Sequence, residues 1–206
     1  MKHLLKSISA IMLATTISFS LASCGDKKSG SADESQASQA TVQNTSVPSE
    51  KTMGTFNKAD MNITIAGVSV QFMGDSSALI AALGSNYTLE EENGCDYAGM
   101  VKYYTYGEDI MISTYPIDGT EVVGEVTIMS QKYPTSKDIK VGDSREKIIT
   151  AYGENFTDDD DDLQNGVLTY WLGEKGDYKH TPQLYFDLEE NIITKINFFC
   201  AGNKIS

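Results

Sequence analysis

An internal repeat is the feature that most constrains how this chain folds. Residues 142–157 read GDSREKIITAYGENFT and residues 74–88 read GDSSALIAALGSNYT; with one gap in the first copy, eight positions are identical. The copies lie 68–70 residues apart, which is too long for a solenoid and suits two small modules. Because neither module buries much core alone, the repeat predicts two units, residues 59–134 and 135–206, whose sheets join.

Each copy of the repeat predicts a short helix. In the second copy Asp143 occupies the capping position, and Glu146 follows three residues later, as in a capping box. Ile148 and Tyr152 fall on one helix face at i, i+4 spacing, and Gly153 can adopt the positive φ that ends a helix. The first copy has the same signals, with a cap at Asp75 or Ser76, inward-facing Leu79, Ile80 and Leu83, and a stop at Gly84.

Runs rich in β-branched and aromatic residues follow each helix, and they predict strands. They lie at 100–107, 109–116 and 121–130 after the first helix, and at 166–173, 182–189 and 191–200 after the second. Before the first helix, residues 61–72 predict a hairpin that turns at Ala66-Gly67, and residues 137–141 its shorter counterpart. The acidic segments 89–94 and 158–162 are interpreted as solvated loops. The predicted fold class is α+β: two tandem helix-plus-antiparallel-sheet repeats forming one joined sheet with helices on one face.

The N-terminus has the organisation of a secretion signal. Lys2, His3 and Lys6 precede an apolar run that is too short and too rich in Ser and Thr to span a membrane well. The run ends in LASC at residues 21–24, which resembles the lipobox of bacterial lipoproteins. The resemblance implies a signal peptide over residues 1–23 and lipidation of Cys24, whose acyl chains would anchor the protein at the extracytoplasmic face of the cell membrane. The alternative is an ordinary secretory peptide followed by a chance cysteine.

Residues 24–58 predict a disordered tether. They are rich in Ser, Gln, Thr, Ala and Gly, so they cannot bury enough apolar surface to offset the entropy of ordering.

The net charge of the chain is −13, and removal of a signal peptide with two lysines and no acid changes it to −15. Such a charge argues against binding to nucleic acid or anionic lipid. It favours a cationic partner, or simply a solvated acidic surface.

Two family resemblances follow from these residues. The tandem helix-plus-sheet organisation, with VGDS at 141–144 and AYG at 151–153, resembles the β-lactamase inhibitor protein fold and related small envelope-assembly lipoproteins. The segment CDYAGMVKYYTYG at 95–107, with TYP at 114–116 and VGDS at 141–144, also resembles a lipoprotein family of clostridia and related Firmicutes. The first resemblance implies a shared fold only. The second spans the whole mature domain and implies an envelope lipoprotein, but it brings no known activity.

The alternation of residues along the strands assigns two faces to the sheet. The helix-facing core is predicted to contain Ile110, Ile112, Val126, Ile128, Leu184, Phe186, Ile196 and Phe198. The opposite face is rich in residue types that are enriched in protein-recognition sites. The candidate binding face consists of Tyr103, Met111, Tyr115, Met129, Trp171, Tyr185 and Phe199. The alternative is that linker or loop residues cover it.

Enzyme chemistry, cofactors and metals are not predicted. His180 is the only histidine after the signal peptide, and the chain has no G-x-S-x-G, P-loop or H-E-x-x-H motif. Asp158, Asp160 and Asp162 offer oxygen ligands for Ca²⁺, but Leu163 stands where an EF-hand loop needs Gly, so a solvated loop is favoured. Cys95 and Cys200 form an even pair that can make a disulfide outside the membrane, with buried free thiols as the alternative.

These features predict a membrane-anchored extracytoplasmic lipoprotein that binds a protein or peptide through its aromatic sheet face. The alternative function is binding of a small ligand, such as a peptide or glycan, or Ca²⁺-dependent adhesion. A broad exposed apolar patch favours the first function, and a pocket with a few convergent polar groups favours small-ligand binding. Strongly perturbed titratable groups in a cleft are typical of an enzyme.

Overall fold

The structure is a computed structural model and describes residues 53–94, 99–158 and 166–200. Cys24, Cys95, Asp160 and Asp162 lie outside these ranges, as do the predicted signal peptide and most of the predicted tether. Within the ranges, no helix has both the length and the apolar character needed to cross a membrane.

The described residues form a mainly β fold with ten strands and two α-helices. The hairpin of β1 (Thr64–Ile65) and β2 (Val68–Ser69) precedes α1 (Ser77–Leu83), after which come β3 (Thr88–Asn93), β4 (Met100–Tyr106), β5 (Ile110–Ile117) and β6 (Thr120–Ile128). Then α2 (Arg145–Tyr152) precedes β7 (Thr157–Asp158), β8 (Gly166–Trp171), β9 (Gln183–Glu189) and β10 (Ile192–Phe199). The predicted hairpin turn is confirmed, since Ala66 and Gly67 have φ of 50° and 81°, as a two-residue type I′ turn requires.

Strands β3 to β10 form one antiparallel sheet in the order β3-β4-β5-β6-β10-β9-β8-β7, and β1 and β2 form a separate small sheet. The middle of the large sheet is the pairing of β6 with β10, where Ile128 lies opposite Ile196 and Val126 opposite Phe198. The strands after α1 lie on one side of this pairing, and the strands after α2 lie on the other. The architecture agrees with an α+β chain built on a large antiparallel sheet.

Both helices lie on the same face of the large sheet, because their buried residues share one hydrophobic cluster with residues of the sheet. Leu79 of α1 and Ile148 and Tyr152 of α2 are at most 3% exposed. The prediction for the helix-facing core is confirmed, since each of its members is 0% exposed: Ile110, Ile112, Val126, Ile128, Leu184, Phe186, Ile196 and Phe198. Strand alternation therefore assigned this face correctly.

The interpretation of residues 89–94 as a loop was wrong. Residues 88–93 form β3, which pairs with β4 from Thr88 opposite Thr105 to Asn93 opposite Met100. All six residues of β3 are exposed, and an edge strand tolerates charged side chains because they stay in water. The run of three glutamates therefore indicated solvent exposure, not the absence of a strand.

Two predictions around α2 were also wrong. Residues 137–141 form no strand; Thr135 N donates to Ile139 O at 2.9 Å, and this tight loop buries Ile139 in the core. The cap of α2 is Ser144, whose Oγ accepts from Lys147 N at 3.4 Å. Asp143 instead accepts from Lys140 N at 2.8 Å and from Lys147 Nζ at 2.7 Å. Asp143 therefore stabilises the loop before α2, and Ser144 caps the helix.

The chain packs against α2 before the boundary predicted at residue 59. Gly54 N donates to Thr150 O at 2.9 Å. The ring centroid of Phe56 lies 6.1 Å from that of Tyr152 and 5.6 Å from that of Tyr170. A short 3-10 helix at Lys58–Met61 follows. The described fold thus includes the last residues assigned to the tether.

Candidate functional site

The sheet face opposite the helices, which we call the open face, carries rows of side chains aligned by strand register. One row crosses β4, β5, β6, β10, β9 and β8 through Tyr103, Ser113, Glu125, Phe199, Gln183 and Trp171. The next row contains Met111, Thr127, Asn197, Tyr185 and Thr169. Polar residues thus alternate with aromatic residues over the middle of the face.

A cleft of about 440 Å³ opens on this face. Its lining consists of Glu125, Val167, Thr169, Tyr178, Gln183, Tyr185 and Phe199. The aromatic rings and Val167 supply apolar walls, while the carboxyl, amide and hydroxyl groups supply a few polar contacts. A concave site of this composition is typical of ligand recognition, and we call it the open-face cleft.

Tyr178 lines one side of the open-face cleft and packs against Trp171. Their rings meet edge to face, with 4.7 Å between centroids and an interplanar angle of 77°. The Trp171 indole donates to Thr157 Oγ1 at 2.8 Å and is 8% exposed, whereas Tyr178 is 53% exposed. Gln183 Nε2 donates to the carbonyl oxygens of Tyr178 and Thr181 at 3.1 and 3.2 Å. The buried indole and the glutamine amide therefore position the accessible Tyr178 ring.

Glu125 is the charged residue of the cleft lining. The Tyr185 hydroxyl donates to Glu125 Oε1 at 2.8 Å, reaching from β9 over β10 to β6. Burial raises the pKa of Glu125, and the carboxylate of Asp187 raises it further, against the opposing effects of the Tyr185 and Ser113 hydroxyl groups. Burial likewise raises the pKa of Asp187, although Asn197 and Lys195 act in the opposite direction. The open face therefore holds two carboxyl groups that retain a proton to higher pH than they would in water.

Glu121, on the same strand but on the helix-covered side, is in a different electrostatic state. Its carboxylate accepts hydrogen bonds from Lys102 Nζ at 2.8 Å, Tyr104 Oη at 2.6 Å and Thr114 Oγ1 at 2.8 Å. Burial acts to raise the pKa of Glu121, but these three hydrogen bonds outweigh it and the pKa is lowered. A second cavity, of about 530 Å³, lies between this cluster and α1. Because the cluster neutralises its own charge, we assign it to stability of the fold.

The structure brings only part of the predicted binding face together. Tyr185 and Phe199 line the open-face cleft, and Trp171 supports it from a buried position. The remaining four, Tyr103, Met111, Tyr115 and Met129, are half-buried and lie outside the lining. A β-carbon at Gly124 would lie 2.1 Å from the Tyr115 ring, so this ring covers the backbone of β6.

The other predicted sites lie away from the cleft. Asp158 pairs with Arg145, and the described residues contain no group of three or more His, Cys, Asp or Glu able to hold a metal. Cys200 is a buried free cysteine, and burial raises the pKa of its thiol to about 12. Because Cys95 lies outside the described residues, the disulfide stays a prediction. His180 Nδ1 lies 3.0 Å from Asp177 Oδ1 in an exposed loop.

The predicted binding face consisted of aromatic residues and methionines, so it did not include the polar residues of the cleft lining. Glu125, Gln183 and Thr169 follow the same alternation, because each lies two or four residues from a predicted member of the binding face: Met129, Tyr185 and Trp171. Strand periodicity could have identified all three. Tyr178 lies in the loop after β8, where periodicity carries no information about position.

No protein-family model and no curated protein sequence matches this chain. One solved structure, described as the uncharacterized protein yfeY from Escherichia coli, is similar over 66% of this chain and 95% of its own, with 13% sequence identity and a TM-score of 0.38. This similarity is too low to support a functional argument, so function is argued from the site itself.

Proposed function

We propose that this protein is a non-enzymatic, membrane-anchored extracytoplasmic lipoprotein that binds a protein or peptide in the open-face cleft. The observation that carries the proposal is the mixed lining of the cleft, in which Tyr178, Tyr185 and Phe199 surround Glu125 and Gln183. Tyrosine and phenylalanine supply large contact areas at protein interfaces, and a few polar groups fix the orientation of the bound chain.

The choice between binding and catalysis rests on the chemistry of the lining. A carboxyl group with a raised pKa in a cleft also suits a general acid, and Glu125 has this property. Among the described residues that line the cleft, however, there is no serine, cysteine, histidine or lysine to act as its partner nucleophile or base. The raised pKa is accounted for by burial and by Asp187, so recognition is the better-supported role.

Capture of a small ligand is the second candidate. The volume of about 440 Å³ falls within the range of roughly 300–1,000 Å³ of small-molecule sites. A short peptide or a glycan unit would fit such a space. Both candidate functions use the open-face cleft. They differ in whether the bound group is part of a protein or peptide or is a separate small molecule.

The membrane anchor is proposed from the sequence around Cys24, and membership of the clostridial lipoprotein family is proposed from residues 95–107, 114–116 and 141–144. Lipidation predicts that the wild-type protein is recovered with membranes and incorporates radiolabelled palmitate. Cys24→Ala should abolish the label, because the acylated thiol is absent. Labelling that persists in this variant would contradict the anchor.

We also propose that the chain consists of two tandem repeats. In each unit, a backbone hydrogen bond links the segment before the helix to the last strand. In the first unit Val123 N donates to Gly74 O at 3.0 Å, and in the second Ile193 N donates to Asp143 O at 2.9 Å. These pairs are related by a shift of about 70 residues, the period of the sequence repeat. The equivalence supports a common structural plan for the two units.

Co-purification from the native membrane tests the binding function. The full chain would be compared with Val167→Trp, which fills the cleft, and with Ala82→Trp, which adds the same side chain to an exposed position on α1. We expect a partner that is retained by the wild type and by Ala82→Trp and is reduced roughly tenfold or more by Val167→Trp, as for loss of an interface hot spot. Equal retention by all three folded proteins would overturn the proposal.

A further inference from the structure

The two glutamates of β6 differ in their countercharge. Glu121 has Lys102 at 2.8 Å. Glu125 lies four residues away on the open face, and none of the described residues lining its cleft is a lysine or an arginine. Asp187 adds a second negative group nearby. Burying a carboxylate is costly unless it is both hydrogen-bonded and paired with a cation. Glu125 has the Tyr185 hydrogen bond, but the described cleft lining lacks the cation that Lys102 supplies to Glu121.

We propose that the open-face cleft receives a lysine or arginine side chain of the bound peptide, with its cationic head at Glu125. This inference rests on the proposed function and specifies what the cleft recognises. The aliphatic stem of such a side chain would lie against Tyr178, Phe199 and Val167, which line the approach to Glu125. Long cationic side chains bury their stems on apolar surface in this way.

The lining offers the cation two kinds of attraction. The Tyr185 hydroxyl takes one position on Glu125 Oε1, and a carboxylate has about four lone-pair sites, so the group can accept further charge-assisted hydrogen bonds. Aromatic faces attract cations within about 6 Å of the ring centroid, and three aromatic residues line the cleft. The Tyr178 ring on the rim of the cleft is accessible for this contact, since Tyr178 is 53% exposed.

The charged and titratable groups that act on Glu125 agree with this inference. They are Asp187 and Tyr185 on β9 and Tyr103 on β4. Lys195 lies opposite Asp187 in register and acts on the pKa of Asp187. A cation bound at Glu125 would favour the ionised form of that carboxyl.

Titration with matched peptides tests the inference. The probes are acetyl-Gly-Ala-X-Ala-Gly-amides in which X is lysine, arginine, norleucine or glutamate, added to the full chain in detergent. Trp171 is the only tryptophan of the chain and contacts Tyr178, so its fluorescence reports occupation of the cleft. Binding would be measured for the wild type, for Glu125→Gln, and for Glu108→Gln, which removes one carboxylate from an exposed turn.

We expect the lysine and arginine peptides to bind roughly tenfold or more tightly than the norleucine peptide, as one charge-assisted contact would give. Glu125→Gln should abolish this preference, and Glu108→Gln should keep it. Equal binding of lysine and norleucine peptides, a preference that survives Glu125→Gln, or no binding up to about 10 mM would each overturn the inference. A partner that still co-purifies and is displaced by Val167→Trp would leave the proposed function standing in each of these cases.

Discussion

At the residue scale, the contrast between Glu121 and Glu125 gives a pH-dependent prediction. The pKa of Glu125 is raised mainly by burial, so the folded state holds this proton to higher pH than the unfolded chain. Between the ordinary value of 4.5 and the raised value, the free energy of unfolding must therefore fall as pH rises. Glutamine does not titrate, so Glu125→Gln should gain stability relative to wild type from about pH 4 to pH 7.

Glu121→Gln is the matched variant, and its stability relative to wild type should change with pH in the opposite direction. The pKa of Glu121 is lowered by its three hydrogen bonds against the effect of burial, so its stabilisation is present above its ordinary value of 4.5 and is lost as pH falls. This variant should therefore lose stability relative to wild type as pH rises through the acidic range to about 4.5, and the deficit should stay constant at higher pH. Urea denaturation at several pH values measures both differences. Parallel trends in the two variants would contradict the electrostatic assignment.

At the element scale, the contact between residues 54–57 and α2 predicts an effect of a very small substitution. A β-carbon at Gly54 would lie 1.8 Å from Ala151 O, which is backbone and cannot move aside without disturbing α2. We expect Gly54→Ala to lower the free energy of unfolding by about 1–3 kcal/mol, the usual cost of overpacking. Ala59→Ser, at an exposed position of the 3-10 helix, is the control. Unchanged stability of Gly54→Ala would show that this segment does not pack on α2.

The edge strand β3 predicts a solubility effect. Its six residues are exposed and include Glu90, Glu91 and Glu92, and charged side chains protect an edge from pairing with another chain. Changing all three to glutamine should increase self-association in light scattering. The triple variant Glu108→Gln, Glu154→Gln and Glu174→Gln removes the same charge from exposed turns and loops and should stay monodisperse. Equal association of the two triple variants would assign the effect to net charge alone.

The elements were predictable where one local signal decided them. Alternation assigned the core residues from Ile110 to Phe198, and the Ala66-Gly67 dipeptide located its turn, because side-chain period and positive φ are properties of a few neighbouring residues. The charged edge strand β3 and the loop around Ile139 were not predictable in this way. Their conformation depends on pairing with β4 and on burial against the sheet, which are contacts distant in sequence.

The candidate site was predictable only in part for the same reason. Alternation placed Tyr185, Phe199 and Trp171 on the open face, but it does not indicate which of them is covered. Trp171 is buried by its hydrogen bond partner Thr157 and by Tyr178, and Tyr178 comes from an irregular loop. The meeting of Glu125 with Tyr185 spans three strands, so it depends on the order of strands in the sheet.

At the scale of the whole molecule, the proposed anchor, tether and domain give one arrangement. Cys24 would hold the chain at the membrane, and the tether would let the acidic domain sample the space beyond it. A net charge of −15 for the chain without its signal peptide attracts cationic partners over a distance of about one Debye length, roughly 8–10 Å at physiological salt. The net charge would thus raise the rate of encounter with a cationic partner, and the open-face cleft would provide the specific contact.

Site-specific photo-crosslinking of the full chain in its native membrane would show whether the open-face cleft binds a partner. A benzophenone amino acid would replace Tyr178 on the rim of the open-face cleft or, as control, Ala82 on the exposed side of α1. We expect a crosslinked partner at position 178, none of that adduct at position 82, and its loss when Val167→Trp is added. The same adduct at both positions, or its persistence with Val167→Trp, would contradict recognition by the open-face cleft.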